Sequence, residues 1–223
     1  MNIFEFLNTL DTNVFLAING LHNSFFDVFM WLTSEKFVWF PLYAALIFIF
    51  IKNYGKNAVW IIIALILSIV VADQIASGIL KNTVERFRPS HEWSIDGLVH
   101  LINGDRSGLY GFASSHAANS FAIAVFSALV FRNKIFTLAA IIWATTISYS
   151  RIYVGVHYPL DILGGMIIGI CSAMFFYVLI KKYFPLTREI FSNQQDTRGL
   201  TVYYIVYFAT WLCFVLYSFM LVY

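Results

Sequence analysis

From Ala58 to Leu80 the chain is apolar apart from one charge, Asp73, and a few small or amide side chains. A bilayer core asks for about 20 such residues in one helix, because lipid offers the backbone N–H and C=O groups no partners. This stretch makes a membrane helix the first constraint on the fold. Five more segments share its character: Phe37–Ile51, Ala117–Phe131, Ile135–Tyr149, Leu160–Ile180 and Thr201–Tyr223. The shorter ones reach full length only by drawing in polar ends such as Ser114–His116 and Ser150–Arg151, so polar chemistry is expected at the membrane boundary.

Composition agrees. The chain is 60% hydrophobic and 12% charged, where a soluble domain is about half apolar and a quarter charged. A net charge of +2 without a basic stripe gives no reason for a nucleic-acid partner. Cys171 and Cys213 fall within apolar spans and read as small buried hydrophobes rather than a disulfide or metal pair. The N-terminus lacks the basic region of a cleavable signal peptide and carries Glu5 and Asp11 instead, so the membrane segments themselves are expected to direct insertion.

Residues 3–21 set Ile3, Phe4, Leu7, Leu10, Val14, Phe15, Ile18 and Leu21 at helical spacing with Glu5, Asn8, Asp11 and Thr12 between them, an amphipathic pattern. The expected fold is all-α: a polytopic membrane helix bundle of about six transmembrane helices with an N-terminal amphipathic segment. Its expected parts are an interfacial region over 1–36, a catalytic bundle over 37–200, and a last helix of the same domain over 201–223. With six spans, Lys52, Lys56, Arg132, Lys134, Lys181, Lys182, Arg188 and Arg198 share one face, and the positive-inside rule assigns it to the cytoplasm. Gly165 and Gly169 form a small-xxx-small pair suited to packing inside the bundle.

Three polar clusters then fall together on the opposite, outer face. The first is Lys81-Asn82-Thr83-Val84-Glu85-Arg86-Phe87-Arg88-Pro89. Seven residues of helix bring Lys81 and Arg88 back to one side, about 10 Å apart, where both could reach one small anion. Pro89 is expected to end that helix at Arg88. The cluster reads equally as cations snorkelling at a membrane boundary. Asp73, inside the same span, is either a functional carboxylate or a structural partner for a polar group on another helix.

The second cluster, Ala113-Ser114-Ser115-His116-Ala117, opens a span. Either serine suits an N-cap, and the free N–H groups of such a helix start also bind phosphate. The third is Ser150-Arg151-Ile152-Tyr153-Val154-Gly155-Val156-His157-Tyr158-Pro159-Leu160-Asp161. Pro159 suits the first helical position, which places His157 at a helix mouth and Asp161 in the first turn. Asp161 there favours the helix dipole, and it also lies within reach of the imidazole to fix its tautomer.

These clusters resemble the signature of the type 2 phosphatidic acid phosphatase family, Lys-x6-Arg-Pro, Pro-Ser-Gly-His and Ser-Arg-x5-His-x3-Asp. Lys81, Arg88 and Pro89 match the first part, and Ser150, Arg151, His157 and Asp161 match the third. The second departs from it, with Ala113 for the proline and Ser115 for the glycine. The resemblance implies a metal-independent, cofactor-free phosphatase acting on a membrane lipid phosphate or diphosphate. His157 is then the nucleophile that becomes phosphohistidine, Asp161 its orienting carboxylate, and His116 the general acid. Lys81, Arg88, Ser114, Arg151 and a backbone N–H at Ser115 bind the phosphate oxygens. It also implies a multi-pass protein of the inner (cytoplasmic) membrane with its site on the outer (periplasmic) face, acting on undecaprenyl diphosphate, a lipid A phosphate or a glycerolipid phosphate. Two other classes fit parts of the pattern: a non-enzymatic anionic-lipid carrier, and a haloperoxidase-like anion site. The loop Ser90–Phe112 is expected to shape the headgroup entrance. Oligomeric state is left open.

Overall fold

The computed structural model describes residues 2–183 and 199–222. Arg188 and Arg198, and with them part of the charge bias used for orientation, lie outside the described residues. The described chain is mainly helical, with a long loop between Val84 and Ser115; its first helices are α1 Ile3–Asn19, α2 Ser24–Ser34, α3 Phe40–Tyr54 and α4 Ala58–Asp73. A π-helical segment Gln74–Leu80 continues α4 into the short α5, Lys81–Val84. Then follow α6 Ser115–Phe131, α7 Lys134–Tyr153, α8 Pro159–Tyr183 and α9 Leu200–Val222.

Local chemistry explains the boundaries. Asn2, Asn23, Ser114 and Asn133 each accept a backbone N–H as N-cap of α1, α2, α6 and α7. Glu5 completes a capping box with Asn2. Between α3 and α4 the chain reverses at Gly55, whose φ of 53° and ψ of −128° suit a residue without a Cβ.

α6 is the centre of the bundle, packed against α4, α7 and α8. Its contact with α8 is built on small residues. A Cβ on Gly165 would run into the Ser114 carbonyl, and one on Gly169 into that of Ala118. The pair therefore serves packing within the bundle. α9 covers α2 and α3, and α1 lies against α7 and α8. Trp39, Trp143, Trp211 and Phe214 meet edge to face between these layers.

Outside this core the helices present large apolar side chains, among them Ile66, Val70, Leu138, Ile167, Phe175, Phe208 and Met220. Such an apolar exterior around a fully hydrogen-bonded helical bundle belongs in lipid. The all-α polytopic bundle read from the sequence is thus the observed fold. By length and composition, four helical runs among the described residues are sufficient to cross a membrane, against the expected six: Phe37–Val84, Lys134–Tyr153, Pro159–Tyr183 and Leu200–Val222. The first is 48 residues long and contains the reversal at Gly55, while Ser115–Phe131 is apolar but shorter.

Two expectations need correction. Cys171 and Cys213 are exposed on the outer faces of α8 and α9 rather than buried, because the apolar medium they suit is outside the bundle as well as within it. The α1 stripe is real, but its inward residues are Asp11, Phe15 and Asn19, while Ile3, Phe4, Leu7 and Leu10 point outward. Periodicity marks two faces without saying which meets protein. Here polar partners on α7 and α8 draw the polar residues inward.

Candidate active site

α7 stops at Tyr153, and the turn that follows is closed by the Arg151 carbonyl, which accepts the N–H groups of both Val156 and His157. Gly155 makes the reversal with φ of 84°. A Cβ there would also strike the His100 carbonyl at 2.6 Å, so this turn and the long loop before α6 lie in close contact. The result delivers His157 to the mouth of α8, one turn ahead of Asp161, as Pro159 foretold.

His157 is 1% exposed. Its Nδ1 lies 3.3 Å from Asp161 Oδ2, and its Nε2 lies 3.0 Å from Arg88 Nη1. A carboxylate on one ring nitrogen fixes the proton on Nδ1 and leaves the Nε2 lone pair outward. Burial, then the charges of Arg88, Arg151 and Lys81, push the imidazole well below its usual pKa. The ring is therefore neutral near pH 7, the form able to attack phosphorus.

Asp161 is buried and well supplied with donors. Oδ2 also accepts the Tyr158 N–H at 3.0 Å, and Oδ1 accepts Arg86 Nη1 at 3.0 Å. Arg86 spans further, giving Nη2 to Asp11 Oδ2 at 2.7 Å while its guanidinium lies 4.2 Å from the Tyr158 ring centroid. Asp11 in turn accepts the Leu160 N–H at 2.9 Å. Two N–H groups at the α8 entrance are thus satisfied by carboxylates, one of them from α1. Arg86 and Asp11 fall outside the named positions of the three-part signature, which assigns neither a role. The available signal was an arginine two residues from Arg88 together with an acid on the polar face of an amphipathic helix.

The helix carrying Lys81 ends earlier than Pro89 suggested. Glu85 adopts a left-handed conformation with φ of 51°, α5 stops at Val84, and Arg88 is extended. Lys81 and Arg88 therefore do not share a helical face, and Arg88 reaches the site from the loop. There Arg88 N–H bonds the Leu109 carbonyl and Gly111 N–H the Arg86 carbonyl. Arg88 Nε is held by the Tyr110 carbonyl at 3.1 Å and Nη1 also by that of Val156 at 3.0 Å. A Cβ on Gly111 would lie 2.8 Å from Asp161 Oδ2 and 3.3 Å from Arg88 Cγ, so this backbone is pressed against both side chains. Asp73 takes the structural option, accepting from Asn119 Nδ2 on α6 at 2.9 Å.

Ser114 caps α6 through a long bond of 3.5 Å to Ala117 N–H, and its own N–H binds the Asp161 carbonyl at 2.9 Å. The second and third clusters are thereby joined. His116 begins α6 within electrostatic reach of Arg151, His157, Lys36 and Lys81. Arg151 is buried, with Nη1 on Ser34 Oγ at 2.8 Å and Nε without a partner. A buried guanidinium with a free N–H suits a bound anion. Ser115 is half-buried in the first turn beside these groups.

His116 also opens onto a cavity of about 340 Å³ between α3, α4 and α6. Ser34, Lys36 and Asn119 line its polar end, and Trp39, Phe40, Tyr43, Leu65 and Ile66 the rest. A polar end at His116, continuing into an apolar groove, matches a phosphate attached to a hydrocarbon chain.

A family model described as the PAP2 superfamily matches residues 57–185, the stretch that carries Lys81 through Asp161. The protein belongs to the PAP2 superfamily. It is 41% identical to a lipid A 4'-phosphatase of Bacteroides thetaiotaomicron across 87% of this chain and 85% of that one. It is 38% identical to a lipid A 4'-phosphatase of Porphyromonas gingivalis across 78% and 74% respectively. Among solved structures, LpxE of Aquifex aeolicus superposes with a TM-score of 0.59 at 28% identity, covering 75% of this chain and 94% of that one. A PAP2-type phosphatidylglycerolphosphate phosphatase of Bacillus subtilis gives 0.61 at 18% identity, covering 79% and 87%, a likeness of fold. As a PAP2 protein the chain is an integral-membrane hydrolase of lipid phosphates.

Proposed function

We propose that this PAP2 phosphatase hydrolyses a phosphate of lipid A through a phosphohistidine on His157. The observation that carries the reading is His157 itself: neutral, buried, oriented by Asp161 and surrounded by cations, with His116, which lies within its electrostatic reach, opening onto the apolar groove. Support for the lipid comes from the identity to lipid A 4'-phosphatases along most of the chain.

In the proposed reaction, Lys81, Arg88, Arg151, Ser114 and the Ser115 N–H hold the phosphoryl oxygens, replacing their hydration. His157 Nε2 attacks phosphorus as the ester P–O bond breaks, and His116 gives its proton to the departing lipid oxygen. His116 then takes a proton from water, which attacks the phosphohistidine and releases inorganic phosphate and neutral His157. Lys36 at the groove mouth adds a cation for the headgroup.

The six-pass topology belongs to the same reading. It divides the 48-residue run at Gly55 into two antiparallel passes, α3 and α4–α5, and counts α6 as a pass lengthened by its polar start. Residues 1–36 then count as an interfacial region, 37–200 as the catalytic bundle and 201–223 as the C-terminal transmembrane helix of the same domain. The basic face lies in the cytoplasm and the site on the periplasmic side of the inner membrane.

The test is phosphate release by detergent-solubilised protein from lipid A and, in parallel, from undecaprenyl diphosphate. Wild type is expected to prefer lipid A, and His157→Ala and His116→Ala to lose at least about 10³-fold in turnover. Equal rates in all three proteins would sink the scheme, and preference for the diphosphate would reassign the lipid.

A further inference from the structure

Away from the phosphatase site, His22, Asp27 and His100 come together where the α1–α2 turn meets the loop preceding α6. Each offers one ligand atom, and these atoms all lie within 4.8 Å of one another. The His22 and His100 rings are parallel, with centroids 3.8 Å apart. His100 Nε2 and Asp27 Oδ2 are separated by 3.1 Å. With metal–ligand bonds of about 2.0–2.1 Å, two ligands of a tetrahedral zinc stand about 3.3 Å apart, so this N···O pair is already close to a coordination edge.

One of the three ligands has a partner on its far oxygen, and the backbone of a second is fixed. Asp27 Oδ1, the oxygen turned away, accepts the Tyr153 hydroxyl at 2.8 Å. The backbone of His100 is clamped on both sides by buried Asn19, which donates to its carbonyl at 2.9 Å and accepts its N–H at 2.8 Å. A partner such as the Tyr153 hydroxyl orients a ligand before a metal arrives. His22 is exposed and follows the end of α1; its ring lies face to face with that of His100, and a turn of this surface side chain brings one of its nitrogens into line with the ion. Two imidazoles and one carboxylate select a borderline cation of the zinc class over calcium or magnesium, which ask for oxygen.

We propose that His22, Asp27 and His100 form a zinc-class divalent cation site that clips the loop between the first two phosphatase motifs to the N-terminal helical hairpin. The bound ion stands outside the phosphoryl chemistry. Its consequence is mechanical: the His100 carbonyl rests on Gly155, two residues before His157, and Ile95 and Val99 of the same loop pack with Phe15, Ile152 and Tyr158. Holding His100 therefore holds the wall behind the nucleophile.

The experiment measures Zn²⁺ uptake by the full-length, tag-free protein in detergent, by titration calorimetry and by metal analysis after gel filtration. Wild type is expected to bind about one Zn²⁺ per chain. His22→Ala and His100→Ala should bind at least about tenfold more weakly, while His91→Ala, at a half-buried histidine outside the cluster, should match wild type. Zn²⁺ should raise the thermal midpoint of wild type and leave that of His22→Ala unchanged. Because His22 is exposed, its variant tests the site even if His100→Ala fails to fold. Absence of stoichiometric uptake by wild type, or equal affinity in His22→Ala, would overturn the proposal. So would a loss in His91→Ala as large as that in His22→Ala.

Discussion

Arg88 donates from Nη1 to Nε2 of His157 at 3.0 Å, the ring nitrogen turned away from Asp161. The lone pair proposed to attack phosphorus is therefore held by one of the cations proposed to bind phosphate. An arriving phosphoryl group competes for that guanidinium, and its binding frees the nucleophile in the same step. Arg88→Lys keeps the charge but loses the planar fork. The expected result is a fall in kcat of about 10²-fold and weaker inhibition by orthovanadate, read from steady-state kinetics. Wild-type values for both would remove Arg88 from this role.

Arg86 joins Asp11 of α1 to Asp161 of α8, at 2.7 and 3.0 Å. Removing the guanidinium leaves two buried carboxylates facing one another. Arg86→Ala is expected to cost about 3–5 kcal/mol of stability, measured by unfolding in mixed micelles, together with most activity. The double variant Arg86→Ala, Asp11→Asn removes one stranded charge and should recover part of the stability. No recovery would show that Asp11 and Arg86 do not act as a pair.

Gly111 tests how tightly the loop is pressed on the site. An added methyl would sit 2.8 Å from Asp161 Oδ2, and neither neighbour can withdraw without breaking its hydrogen bonds. Gly111→Ala should lower kcat by about 10²-fold, the loss expected when a catalytic group is displaced by an ångström or so. Gly108→Ala, where a Cβ meets nothing within 4 Å, should be close to wild type. Matching losses in the two variants would contradict the close fit at Gly111.

The depressed pKa of His157 sets a pH dependence. An unfolded histidine takes up a proton near pH 6.5, whereas the folded one resists until lower pH. The unfolded chain then binds more protons below about pH 6.5, so this group's stabilising contribution is full above that pH and declines as pH falls. NMR of histidine-labelled protein, with the His157 signal assigned from His157→Gln, should show a midpoint below 6.5. A midpoint at or above 6.5 would contradict the buried neutral ring. Turnover should follow a bell, with His157 deprotonated on one limb and His116 protonated on the other.

Much of this site could be read from spacing, because Lys81, Arg88, His116, Arg151, His157 and Asp161 are costly groups beside apolar runs and so mark themselves. Pro159 located the start of α8 correctly, since its missing N–H is tolerated only there. Pro89 misled for the opposite reason. It constrains Arg88 without announcing that Glu85 had already turned left-handed. The Arg86–Asp11–Asp161 bridge and the partner of Asp73 join residues far apart in the chain, and local pattern carries no information about such pairings. Nor does periodicity distinguish lipid from protein, which is why the inward polar face of α1 and the outward cysteines emerged only from the packing.

The central claim is that His157 carries the phosphoryl group. Its direct measurement is rapid quenching of the enzyme with ³²P-labelled lipid A, followed by peptide mapping of the trapped label. The account predicts an acid-labile, base-stable phosphoenzyme on His157 that is absent from His157→Ala. Label retained in His157→Ala, or full turnover without any labelled enzyme at the earliest quench times, would contradict it.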